Sequence, residues 1–151
     1  SLIQAIIKSC KIKSEIVKKD EKEKSLRMIL NFGHTFAHGF EGAKNFSKKL
    51  NHGEAVLLGM MVASELSNKI NILSSKELEM IQKHYLNLGL LFNIKKFFKK
   101  KEIKKNIFYM KKDKKNVDKN LSLILLKKIG KTKKVIFNSK KVEKFLLSYY
   151  N

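Results

Sequence analysis

The chain has 151 residues, is 43% hydrophobic, and carries 34 Lys and Arg against 13 Asp and Glu, for a formal charge of +21. This length fits one domain with a real core, and the single cysteine, Cys10, excludes an internal disulfide framework and fits a reducing compartment, so the cytoplasm is expected. The longest apolar run, 55–63, is short and interrupted by Gly59, so no membrane span is expected, and no secretory signal pattern is present.

In chain order, Leu2, Ile3, Ile6, Ile7, Ile12, Ile16 and Val17 recur at helical spacing and predict a first helix ending near Val17. Because the chain opens inside this helix, it is expected to be part of a longer polypeptide. The charged stretch KKDEKEKS (18–25) intervenes before apolar spacing resumes at Leu26, Met28, Ile29 and Leu30, which predicts a second helix or helix pair carrying histidines. GAKNFSKKLN (42–51) reads as a polar loop. HGEAVLLGMMVASELSNKINIL (52–73) is the strongest helical signal and is apolar nearly all round, which predicts a central buried helix. Its small residues Gly53, Ala55, Gly59, Ala63 and Ser64 would admit close neighbours.

Ser74 and Ser75 followed by Glu77 predict a capped helix closed by Gly89. A Lys-rich helical patch follows to about Met110. LSLILLKKIGKTKKVIFN (121–138) predicts two short strands around Gly130, and Ser139 is expected to cap a last helix. The expected architecture is therefore mainly α, a single multi-helix domain over 1–151 with a small β-hairpin.

The charge prompts the question of nucleic acid. Lysines are spread from Lys8 to Lys144 rather than gathered, and no recognition helix, aromatic RNA-binding motif or Cys/His finger accompanies them, so no specific nucleic-acid partner is expected. Runs such as 95–105 and 111–115 read as solvated faces. A noncatalytic basic helical protein is the competing reading, and it requires binding that falls steeply with salt.

Chemistry concentrates in 27–54. Arg27 is the only arginine beside 33 lysines, and three of the four histidines, His34, His38 and His52, lie here. A guanidinium forks onto a carboxylate or phosphate where an ammonium acts as a point charge, so Arg27 is a candidate anion clamp. His34 and His38 are four residues apart and share a helix face, the geometry for chelating a metal or for dividing metal binding and proton transfer between two rings. With His52 they make a zinc trio on spacing alone, although a histidine at a helix start is often no more than a cap.

The segments DEKEKSLRMILNFGHTFAHGFE (20–41), LNHGEAVLLGMMVAS (50–64) and MKKDKKNVDKNLSLILLKKIGK (110–131) resemble, in order, the C-terminal domain of the 3-dehydroquinate synthases. The resemblance implies the dehydroquinate synthase-like fold. It also implies a phosphorus-oxygen lyase of the shikimate pathway that converts 3-deoxy-D-arabino-heptulosonate 7-phosphate to 3-dehydroquinate and phosphate. It implies zinc or cobalt held by His34 and His52, with a third ligand, a glutamate, on an upstream helix outside this chain. His38 then faces the substrate phosphate instead of the metal. Lys13 and Arg27 match positions that grip the substrate carboxylate, Asn31 one that touches substrate near the metal, and Glu23 an acidic residue that orders these cations. Lys114 and Lys115 cover the phosphate-binding lysine. NAD is expected on an N-terminal half that this chain lacks, so the fragment alone is expected to be inactive, and the full-length relatives are expected to be homodimers. Another sugar-phosphate cyclase, or a metal-dependent alcohol dehydrogenase-like enzyme, is the alternative within the same superfamily. Two positions depart from the family pattern: Ala37 stands where glycine is usual, and Gly39 where alanine is usual.

Overall fold

The computed structural model describes residues 1–22, 26–90, 93–112 and 120–151. Its contacts divide into two compact units, Ser1–Asn31 and Phe32–Asn151.

The first unit is a helix, α1 (Leu2–Lys19), and a 3-10 turn over Leu26–Asn31. The helix outruns the expected end near Val17 because Lys18 and Lys19 suit the negative pole of its last turn. It stops at Asp20, whose carboxylate accepts the Arg27 backbone N–H at 2.9 Å. Residues 26–31 are apolar at helical spacing yet form the tighter 3-10 turn. Leu2, Ile3, Ile6, Ile7 and Ile12 remain exposed along α1.

The second unit contains α2 (His34–Ala43), α3 (His52–Lys69), α4 (Ser75–Asn87), α5 (Ile94–Phe97), a 3-10 turn (Lys100–Glu102) and α6 (Ile103–Lys111). These are followed by β1 (Asn120–Lys128), β2 (Lys131–Asn138) and α7 (Ser139–Leu147), which ends in a 3-10 turn over Ser148–Tyr150. The architecture is mainly helical with one antiparallel hairpin among the described residues, as the sequence predicts.

Helix α2 lies between α3 and α6, and glycine decides how closely. Gly33 has φ 80°, and a Cβ there would meet the Met60 backbone nitrogen at 2.6 Å. On α3, a Cβ at Gly59 would sit 2.3 Å from the Gly33 carbonyl oxygen. The far side of α2 meets α6, where a Cβ on Gly39 would approach the Asn106 carbonyl oxygen at 2.9 Å and one on Gly42 would enter the Tyr109 ring. The departure at Ala37 and Gly39 is thus accommodated: Ala37 is fully buried, and Gly39 is needed against α6.

Helix α3 buries most of its residues from Ala55 to Ser67, but its first turn, His52 to Glu54, is exposed and Val56, Leu57, Met60 and Glu65 are half-buried, so it is central without being buried all round. The Glu54 carboxylate accepts the Asn51 backbone N–H at 2.8 Å and closes the helix start. The helix ends at Lys69 and not at Leu73. Asn71 takes a left-handed φ of 60°, and the Ile72 and Leu73 N–H groups turn back onto the Ser67 carbonyl, so those apolar residues pack as a loop after the helix.

Ser74 caps α4 as expected, its hydroxyl accepting the Glu77 N–H. The Lys-rich patch is three short pieces because the chain extends at Phe98, which the core buries. Strand β1 alternates, burying Leu121, Leu123 and Leu125, and pairs with β2 through Leu121↔Phe137 and Leu123↔Val135. It is fastened to α3 by a buried bond from the Leu126 N–H to the Ser67 hydroxyl (3.0 Å), and to α2 by the Thr35 hydroxyl donating to the Ser122 carbonyl (3.1 Å). Asn138, one residue before the expected Ser139, caps α7: its side chain accepts the Lys140 N–H at 2.9 Å, leaving Ser139 as the first helical residue. Phe36, Phe40 and Phe98 stack through the centre.

The carboxyl-terminal turn closes on α3 through a half-buried polar contact. Tyr149 donates its hydroxyl to the Glu65 carboxylate, and Gln82 donates to the other oxygen at 3.4 Å. Burial pushes the Glu65 carboxyl up despite these two donors, and burial and the neighbouring carboxylate push the Tyr149 hydroxyl up. A carboxyl raised in the folded state holds its proton after its unfolded counterpart has ionised. This contribution to stability is therefore lost as pH climbs from the ordinary glutamate value through the raised one. Stability is lost again as pH rises above the ordinary tyrosine value, because Tyr149 then ionises only in the unfolded chain. Tyr149→Phe removes the main donor to a half-buried carboxylate. Its expected cost is about 1–3 kcal/mol in denaturant unfolding at neutral pH, with a shallower alkaline loss than the parent. Equal unfolding midpoints across that range would refute the account.

Candidate functional site

Two helix starts assemble the histidines. Gly33, in its left-handed conformation, turns the chain into α2, so that His34 opens the helix and His38 follows one turn later. His52 opens α3, which the Gly33–Gly59 contact holds against α2. The His34 ring lies with its centre 6.1 Å from that of His38 and 6.0 Å from that of His52. Two imidazoles on one tetrahedral zinc, with Zn–N near 2.0 Å, have ring centres roughly 5 Å apart. Both separations exceed this value by about the same margin. The ring spacings alone do not choose between His38 and His52.

Polar partners face the Nδ1 atoms of His52 and His34. His52 Nδ1 lies 3.0 Å from the Glu41 carboxylate, and His34 Nδ1 lies 3.4 Å from the Phe32 carbonyl oxygen. Sequence reasoning passed over Glu41, although 34, 38 and 41 follow the i, i+4, i+7 spacing of one helix face. Among the described residues no three His, Cys, Asp or Glu side chains form a complete metal-holding group, so the three histidines are not a finished cage.

The carboxylate-binding candidates Lys13 and Arg27 fall in the first unit. Lys13 is exposed on α1. The Arg27 guanidinium donates to the Glu21 carbonyl at 2.8 Å, an anchor that leaves other N–H groups of its fork for an anion. Asn31 is half-buried at the end of the 3-10 turn. Glu23, Lys114 and Lys115 lie outside the described residues.

Residues 1–116 match the sequence profile of the 3-dehydroquinate synthase C-terminal family. The chain belongs to that family. Among its relatives are the 3-dehydroquinate synthases of Pelagibacter ubique, 50% identical over 143 residues, and of Endomicrobium trichonymphae, 44% identical over 131. These alignments cover 94% and 83% of this chain but 39% and 34% of the relatives. The chain thus spans little more than a third of the enzymes it matches.

Family membership agrees with the fold of solved structures. A 2-deoxy-scyllo-inosose synthase complexed with carbaglucose-6-phosphate, NAD+ and Co2+ superposes with a TM-score of 0.69 at 23% identity, over 85% of this chain and 36% of that one. A 2-epi-5-epi-valiolone synthase from Streptomyces hygroscopicus with NAD+ and Zn2+ bound gives 0.66 at 24% identity, over 90% of this chain and 36% of that one. At these identities the likeness establishes the dehydroquinate synthase-like fold. No helix among the described residues is long and apolar enough to cross a membrane.

Proposed function

We propose that this chain is the metal- and substrate-binding part of a 3-dehydroquinate synthase, acting on 3-deoxy-D-arabino-heptulosonate 7-phosphate to release phosphate and form 3-dehydroquinate in the cytoplasm. The observation that carries the reading is the meeting of His34 and His52 at the paired starts of α2 and α3, within a chain that matches this family over residues 1–116. The identity to 3-dehydroquinate synthases favours this substrate over those of other sugar-phosphate cyclases.

In this reading His34 and His52 hold zinc or cobalt, with a third ligand from the part of the enzyme outside this chain. When bound, the metal supplies Lewis acidity at a substrate oxygen. Lys13 and Arg27 bind the substrate carboxylate, Asn31 hydrogen-bonds substrate near the metal, and Glu23 orders the cations. His38, exposed one turn after His34, faces the substrate phosphate and can pass a proton at a ring nitrogen. Lys114 and Lys115 supply positive charge to that phosphate. Most of the work of these groups is orientation and charge stabilisation. NAD belongs to the remaining part of the enzyme, which is proposed to work as a homodimer.

The test is co-expression of this chain with the upstream NAD-binding part of a related enzyme, scored by metal content and dehydroquinate formation. Metal-dependent turnover is the expected result. A well-folded complex holding no metal and forming no product would refute the reading. Arg27→Lys in the same complex retains a cation but loses the fork, so kcat/KM should fall about 10–100-fold, equivalent to about 1.4–2.7 kcal/mol. Metal content should be unchanged. Wild-type kinetics in this variant would remove Arg27 from carboxylate binding.

A further inference from the structure

We propose that Glu41 is a positioning residue of the histidine cluster: its carboxylate takes the Nδ1–H of His52 and thereby presents Nε2 as the electron-pair donor of that ring. The inference deepens the proposed function, because it rests on His52 being a metal ligand there.

The geometry is specific. Glu41 stands two turns after His34 on the same face of α2, and His52 belongs to the first turn of α3, so the 3.0 Å contact bridges the two helices that carry the proposed ligands. The two partners differ in freedom. The Glu41 side chain is only 14% exposed, whereas that of His52 is 63% exposed. The carboxylate is therefore the fixed member and the ring the one being oriented. The Glu41 backbone is fixed as well: its carbonyl accepts the Phe46 N–H at 2.8 Å and the Lys44 N–H at 3.1 Å, and Gly42 beside it is pressed onto Tyr109.

The choice of partner is also informative. With 34 cationic side chains and only 13 acidic ones, a half-buried carboxylate would ordinarily meet lysine. Neighbouring Lys44 instead pairs with Glu102 at 3.0 Å, and Glu41 turns to a histidine. An ionised carboxylate only accepts hydrogen bonds, so the facing Nδ1 must carry the proton, and in a neutral imidazole the other nitrogen then carries the lone pair. A carboxylate behind a metal-binding histidine fixes tautomer and ring direction and raises the basicity of the donor nitrogen.

Two measurements on this chain test the role. Long-range proton–nitrogen correlation spectra in alkaline buffer read the His52 tautomer without any metal. The Nδ1–H form is expected in the parent and a shift toward Nε2–H in Glu41→Ala. Zinc titration should show affinity about 10–100-fold lower in Glu41→Ala, and a smaller loss in Glu41→Gln, which keeps an acceptor oxygen. His52 in the Nε2–H form in the parent, or the same tautomer with and without Glu41, overturns the proposal. If Glu41→Ala does not fold, the parent tautomer and the Glu41→Gln titration still decide the matter, and Glu41→Gln binding zinc as tightly as the parent counts against it. A tautomer that follows Glu41 while zinc perturbs neither His34 nor His52 upholds the orienting role and sinks the metal assignment instead.

Discussion

Gly59→Ala should cost about 3 kcal/mol of folding stability, a large fraction of what an ordinary domain has. The added methyl would lie 2.3 Å from the Gly33 carbonyl oxygen and 3.1 Å from the Ala37 backbone nitrogen. Neither neighbour is a side chain that can rotate away. Gly33 is held in a left-handed turn with its own Cβ position blocked by Met60, and its carbonyl already accepts the Ala37 N–H at 3.0 Å as the first bond of α2. To make room, α2 and α3 must separate, which opens the core between Phe36, Ala37, Leu58 and Val62 and draws His34 away from His52. Gly53→Ala is the matched control, because nothing lies within 4 Å of its Cβ position. It should be neutral or stabilising by up to about 1 kcal/mol, through helix propensity alone. Thermal and denaturant unfolding of the two variants compare the effects directly. A Gly59→Ala protein as stable as the Gly53→Ala protein would mean that the helices are not in the contact described.

His34→Ala and His52→Ala in the reconstituted enzyme should each lower turnover on the order of 10³-fold or more, since the Lewis acid contributes several kcal/mol and each 1.36 kcal/mol is tenfold in rate. Bound metal should fall with turnover. Folding should be little changed for His52, which is exposed in the first turn of α3. His38→Ala separates the roles. As a ring facing the phosphate it should leave metal content intact and lose rate, whereas as a ligand it should lose metal along with the others. Full metal occupancy in His52→Ala would transfer the ligand assignment to His38, whose ring centre lies at nearly the same distance from His34.

Much of this protein is decided locally. Apolar spacing in α1, α3 and α4, the Ser74 cap, and the alternation of Leu121, Leu123 and Leu125 around a glycine turn are properties of short segments, so helices and hairpin could be placed from the sequence. The long ordered motifs about His34, His38 and His52 likewise indicated the family. Boundaries were less legible: residues 26–31 form a 3-10 turn, a left-handed Asn71 ends α3 locally before Leu73, and Phe98 interrupts a helix where the core buries it.

Tertiary structure alone decided which glycines are obligatory. Gly53 and Gly59 are alike in sequence, yet one faces open space and the other a backbone oxygen on a separate helix. It also decided the company of the histidines. The spacing of 34 and 38 is a helical repeat and could be read directly. The approach of His52 to His34 and to Glu41 joins residues 18 and 11 positions apart across two helices, and only the packing of α2 on α3 creates it.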